Sequence, residues 1–201
     1  MHMHDLNPVP IKFVDSLDAK KHIALFYDDP EYARLIEFRF IKNGLLKGEQ
    51  CVYATDDDSG SIVLKMLSYG IPLEYFERKK LRVYQIHNSQ VDHDGIMKSC
   101  KKDIGRILSD LQSPFRIVSR IVPDVTTLTG MSVELELERE LHLRFDDLGG
   151  MVICPYDLSK IETSRRKEWL TELRENHHDV IYAPKFGEGG ILSIQEIKST
   201  N

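Results

Sequence analysis

Residues able to do chemistry gather in this chain near the ends of short apolar runs. Tyr27 closes HIALFY and is followed by Asp28 and Asp29, and Thr55 closes QCVYAT ahead of Asp56, Asp57 and Asp58. Arg120 lies in FRIVSRIV with Pro123 and Asp124 after it, and Cys154 and Tyr156 lie in MVICPY ahead of Asp157. Carboxylates crowded along one edge can hold Mg2+ through oxygen ligands. Each Asp by itself, however, is read as a helix cap or strand terminator. Tyr27 and Tyr156 suit the walls of a pocket, and Arg120 suits an anionic ligand group or one of the aspartates.

Several catalytic patterns are missing. After the first apolar run the stretch YDDPEYARL has neither the glycines nor the lysine of G-x-x-x-x-G-K-[ST], and its two carboxylates would repel a triphosphate. GEGG at 187–190 reads as a hairpin turn. G-x-S-x-G, HExxH and CxxC do not occur. A receiver-like phosphotransfer site would need an Asp at the end of the third strand. His87 and Asn88 stand there instead, with Asp92 and Asp94 beginning the next helix. Cys154 beside His177 or His178 would suggest a thiol nucleophile, but a strand Cys is usually a small core hydrophobe. No acid at a telling spacing orients either imidazole. His177 and His178 at a helix end, and His22 at a strand start, are assigned structural roles. His2 and His4 are read as part of a tail rather than a metal site. Glu134, Glu136, Glu138 and Glu140 alternate with apolar residues along a helix, which leaves most of them solvated and one able to face a pocket. No catalytic residue, metal-ligand set or cofactor is expected.

Such residues need a frame, and the chain alternates β-rich runs with helical patterns, as parallel βαβ units do. Strands are predicted over 22–27, 50–55, 81–87, 115–122, 151–156 and 179–183, with an antiparallel hairpin strand over 191–197. Helices are expected from Asp29-Pro30 to a C-cap at Asn43-Gly44, from Ser59 to Gly70, and over the Ile96–Leu111 periodicity. Two more are expected, one led by Ser132 and one around Trp169 and Leu173. The fold class is α/β, a three-layer sandwich on a mostly parallel sheet. Residues 1–20 form an N-terminal tail and 21–198 a single domain. In open α/β sheets ligands bind at the carboxyl ends of the strands. The pocket is therefore expected to gather Tyr27, Asp28, Thr55, Arg120, Asp124, Glu138 and Tyr156.

Composition narrows the function classes. The chain has 201 residues, enough for one domain with a full core. Lys and Arg number 27 against 32 Asp and Glu, a net charge of -5 that argues against nucleic-acid binding, which needs clustered cations. Three dispersed cysteines, Cys51, Cys100 and Cys154, fit a reducing compartment. No run approaches the roughly 18 apolar residues of a membrane span, and MHMHDLNPVP is not a signal peptide. A cytoplasmic protein without membrane contact is expected.

HIALFYDDPEYARLIEFRFIKNGLLKGEQCVYATDDD resembles the opening of the MEDS domain, the methanogen/methylotroph sensory domain. The resemblance rests on His22, Tyr27, Gly44-Leu45, Gly48-Glu49 and the strand at Cys51. It continues through ERELH with Glu138 and Leu141, ICPYD with Cys154, Tyr156 and Asp157, and HHDVIY with His177. It covers about residues 20–183. It implies a RecA/KaiC-like sandwich without a phosphate-binding loop, serving as a sensor of a small organic or hydrocarbon-derived ligand. Family members often carry a DNA-binding helix-turn-helix or a kinase module. Neither precedes Asn201, so signalling through a partner protein or a homo-oligomer is expected. The alternative is a degenerate nucleotide-binding ATPase or Mg2+-dependent phosphotransfer domain.

Overall fold

The computed structural model describes residues 8–120 and 123–193. Along the chain run α1 (Val9–Ser16), β1 (His22–Tyr27), α2 (Pro30–Leu46), β2 (Gln50–Thr55), α3 (Ser59–Ser68) and α4 (Glu74–Glu77). Then come β3 (Leu81–Gln85), α5 (His93–Ser109), β4 (Phe115–Ser119), α6 (Leu128–Leu143), α7 (Phe145–Leu148) and β5 (Gly150–Asp157). Helix α8 (Arg166–Glu175), β6 (Asp179–Ala183) and β7 (Gly190–Ser193) complete it. The strands form one sheet in the order β3-β2-β4-β5-β1-β6-β7. All pairings are parallel except β6 with β7.

The inner strands are largely apolar because both faces of the sheet are covered; every residue of β1 is buried. Alternate side chains pack into two separate cores. Ile23, Leu25, Tyr53 and Ile153 meet α1, α2 and α3 through Ile11, Ile36, Phe40 and Met66. Ala24, Val52, Cys154 and Tyr156 meet α5, α6 and α8 through Met97, Met131, Leu135 and Trp169. This is the expected α/β sandwich of three layers. The helix after β1 lies on one face and those after β4 and β5 on the other. The connections therefore part over the carboxyl ends of β1, β4 and β5 and leave a crevice there.

Local details differ from the sequence reading. The N-terminal segment is not a tail throughout: Val9–Ser16 is a helix with Pro10, Ile11 and Val14 buried. His2 and His4 lie outside the described residues. Gly44 does not cap α2 but sits inside it, where a Cβ would come within 2.6 Å of the Arg116 Cδ. The turn is made by Gly48, at φ 80°, a backbone conformation that glycine adopts without steric cost. Helix α6 begins not at Ser132 but at Leu128, because the Thr127 side chain accepts from the Gly130 amide and caps it there. Strand β4 ends at Ser119 and β3 at Gln85. Positions 121–122 and 194–197 of the predicted strands lie outside the described residues. Among the described residues no helix is long and apolar enough to cross a membrane.

Candidate functional site

At the parting of the connections lies a cleft of about 400 Å³. Tyr27 from the end of β1, Asp56 after β2 and Arg120 after β4 form part of its wall, with Pro123, Asp124, Val125 and Thr126 on the lead into α6. Pro155, Tyr156 and Asp157 of β5 and Ile86, Ile96 and Cys100 on the β3–α5 side complete most of the rest. The loop into α6 is held by its own polar atoms. Asp124 Oδ1 accepts from the Thr126 amide at 3.1 Å and from its hydroxyl at 2.5 Å. Gly130 lets this loop close down, since a Cβ there would stand 2.0 Å from the Asp124 carbonyl oxygen.

Arg120 is already engaged. Its guanidinium forms a two-pronged pair with the buried Glu37 carboxylate, and its Nη1 donates to Tyr27 Oη at 3.0 Å. Glu37 also accepts from Tyr53, whose oxygen takes a bond of 2.5 Å from Arg34, and Arg34 reaches Asp57 at 2.7 Å. The sequence left Arg120 to an anionic ligand or an aspartate; its partner is instead a helix glutamate, because Glu37 of α2 crosses directly over β4. Burial and the Glu37 charge act against each other on Arg120, and the outcome is a pKa well above the ordinary arginine value.

Behind the cleft, the Tyr156 side chain faces α6. Its Oη lies 2.6 Å from Glu134 Oε1 and 2.8 Å from Glu138 Oε1, two carboxyls one helical turn apart. One phenolic proton cannot serve both. Burial, with the Glu138 charge beside it, pushes the Glu134 carboxyl well up. Glu134 therefore keeps its proton and donates to Tyr156, which donates to Glu138. Burial also works to raise Glu138, but the imidazoles of His177 and His22 facing it prevail and hold it well below the usual carboxylate range.

The second oxygen of Glu138 enters a buried cluster. His22 Nε2 lies 3.0 Å from Glu138 Oε2, His177 Nε2 3.3 Å from the same oxygen, and Cys154 Sγ 3.5 Å from His22 Nε2. The His22 ring stacks on Phe145 with centroids 5.1 Å apart. His177 Nδ1 donates to the Leu173 carbonyl at 2.5 Å, which leaves Nε2 as the ring nitrogen turned to the cluster. Burial, reinforced by His177, lowers the His22 pKa to about 4, and burial pushes the Cys154 thiol well up. At neutral pH the cluster holds neutral His22, one carboxylate and one thiol.

Of the residues predicted for the pocket, Tyr27, Arg120, Asp124 and Tyr156 line the cleft. Asp28 is exposed and does not line it. Thr55 is fully buried and turns its hydroxyl to the Asp57 amide. Glu138 stands one layer back, behind Tyr156. Of the α6 glutamates, of which one was expected to face a pocket, two are buried, Glu134 as well as Glu138. They are spaced i, i+4 and so share the face turned to β5. The structural roles expected for His22 and His177 omit their convergence with Cys154. No local signal announces it, because the four residues lie on β1, α6, β5 and the α8–β6 turn.

The model of the MEthanogen/methylotroph, DcmR Sensory domain, MEDS, matches residues 21–178. A search of curated proteins finds no match. Among solved structures, the chain is similar to a KaiC-like protein from the hyperthermophilic archaeon Pyrococcus horikoshii OT3. The TM-score is 0.56 at 16% identity, over 84% of this chain and 74% of that one. That likeness shows a KaiC/RecA-like fold. With the match spanning both the cleft strands and the buried cluster, the chain belongs to the MEDS family of sensory domains.

Proposed function

We propose that this sensory domain binds a small organic molecule, uncharged or cationic, in the cleft at the carboxyl edge of its sheet, without chemical turnover. The observation that carries the reading is the cleft's charge balance. Among the described residues Asp56, Asp103, Asp124 and Asp157 line it against only Arg120 and Lys160, and Arg120 is paired to Glu37. An anion would meet net repulsion. A compact molecule with an amine, amide or hydroxyl would find acceptors around an apolar floor of Ile86, Ile96 and Val125. The volume falls in the range of small-ligand sites.

The nucleotide-hydrolysing alternative is less well supported. Asp29 Oδ1 already accepts from the Glu31 and Tyr32 amides, so the first turn of α2 is capped by a carboxylate where a phosphate would bind. Occupancy is signalled if the ligand prefers one arrangement of the Asp124–Gly130 segment over another. The output passes to a partner protein or into a change of oligomeric state, in the cytoplasm and without nucleic acid or membrane. Native mass spectrometry of the freshly purified, tag-free chain tests the reading. A stoichiometric small-molecule adduct is expected, lost in Val125→Trp, which fills the cleft. A bare chain that no small amine, amide or alcohol stabilises against heat would overturn it.

A further inference from the structure

We infer that His22, Glu138, Cys154 and His177 form a four-ligand site for a divalent transition-metal ion of the zinc class. The site lies behind the cleft and does not depend on the ligand proposed for it. Four donors from four separate segments converge, with all four ligand atoms within 4.8 Å of one another. Two imidazoles, a thiolate and a carboxylate are the donor types that Zn2+ takes in closed tetrahedral sites. A tetrahedral ion with bonds of about 2.0–2.3 Å sets its donors about 3.3–3.6 Å apart. The separations around His22 and Glu138 are 3.0, 3.3 and 3.5 Å.

Cys154 Sγ meets His22 Nε2 at 3.5 Å, but two other ligand atoms of the cluster have no hydrogen bond. Among the described residues, Glu138 Oε2 and His177 Nε2 are buried without a hydrogen-bond partner although they face each other at 3.3 Å. Lone pairs aimed at a common point leave such orphaned atoms, and an ion at that point would satisfy them. The groups behind the donors are also those of a metal site. His177 is held from the back by the Leu173 carbonyl, and Glu138 by the Tyr156 hydroxyl. Charge closes as well. When the ion binds, the Cys154 S–H proton leaves to solvent and a sulfur–metal bond replaces it. Thiolate and carboxylate then offset the two positive charges, and the neutral imidazoles complete the set. All four residues are buried, so no coordination position is left open to a substrate. The ion ties β1, α6, β5 and the α8–β6 turn together and, through Glu138, fixes the Tyr156 wall of the cleft.

The test is a titration of the metal-stripped full chain with Co2+ alone. One equivalent is expected to give the intense visible absorption of a tetrahedral site and a near-ultraviolet thiolate-to-cobalt band, both bleached by Zn2+. The thiolate band should persist in Cys51→Ala/Cys100→Ala, whose remaining thiol is Cys154, and vanish in Cys154→Ser. His177→Gln should weaken Co2+ binding at least tenfold. Should Cys154→Ser fail to fold, the double variant alone decides between Cys154 and the other thiols. A natively folded chain that takes up no Co2+, a weak octahedral spectrum, or a thiolate band lost in the double variant would each overturn the assignment.

Discussion

Replacing Tyr156 by Phe removes one oxygen atom and leaves the ring in place, so the cleft wall keeps its shape. The oxygen links two buried carboxyls, at 2.6 Å from Glu134 and 2.8 Å from Glu138. Losing the bond to ionised Glu138 costs about 1.5–3 kcal/mol, and stranding the Glu134 proton costs about 1–3 kcal/mol more. Part of that is recovered because the two carboxyls are close enough to bond directly. The net loss expected is about 2–4 kcal/mol, which lowers Tm by about 4–16 °C in a chain of this size. Urea unfolding followed by far-ultraviolet circular dichroism measures it, with an unchanged m-value showing that stability alone has moved. Tyr27→Phe is the control. It removes an acceptor of one Arg120 bond while the Glu37 pair remains, and should cost only about 0.5–1.5 kcal/mol. A Tyr156→Phe loss no larger than that of Tyr27→Phe would refute the proton-sharing arrangement.

Glu49→Gln should destabilise by about 3–5 kcal/mol in the same assay, because it leaves the fully buried Arg116 guanidinium without its anion at 2.6 Å. Replacing both residues by apolar ones of similar volume should recover most of that loss. Gly130→Ala should lower stability by more than about 2 kcal/mol and loosen the 123–127 loop, read as faster amide exchange there, since its Cβ would meet the Asp124 carbonyl. Asp29→Ala should cost about 0.5–2 kcal/mol as a lost helix cap, with no change in the cleft's adduct. In the metal-free chain, acidification should unfold through His22. Its folded pKa of about 4 lies below the unfolded value near 6.5, so stability is fully present above pH 6.5 and falls by about 3 kcal/mol as pH drops toward 4. His22→Gln should flatten that part of the pH curve.

Most element types and nearly all strand positions were legible in the sequence, since these depend on local pattern; helix α1, expected as tail, was not. HIALFY and QCVYAT are buried on both faces and therefore mostly apolar, and Asp29, Asp58 and Asp92 cap helices within one turn of themselves. Carboxyl-edge geometry follows from the parallel topology, which is why Tyr27, Arg120, Asp124 and Tyr156 were legible as cleft residues. Boundaries that depend on remote contacts were not. Gly44 reads as a cap until Arg116, 72 positions away in sequence, is seen to occupy the space its missing Cβ leaves.

The partners of the buried charged and ligating side chains follow from the packing of distant elements. The β1–β5 register sets Ala24 opposite Cys154, which brings Cys154 beside His22 two residues earlier on the same face. Residues 22 and 154 have no spacing that a local motif could encode. The helix faces behave likewise. Alternating charges along α6 leave room for one glutamate to face a pocket, yet the packing of α6 on the sheet turns both Glu134 and Glu138 onto Tyr156. Glu37 similarly falls over Arg120 because α2 runs back across β4. Local sequence sets which residues form a strand or a helix. How those elements pack against one another sets which distant residues meet, and that depends on the whole core at once.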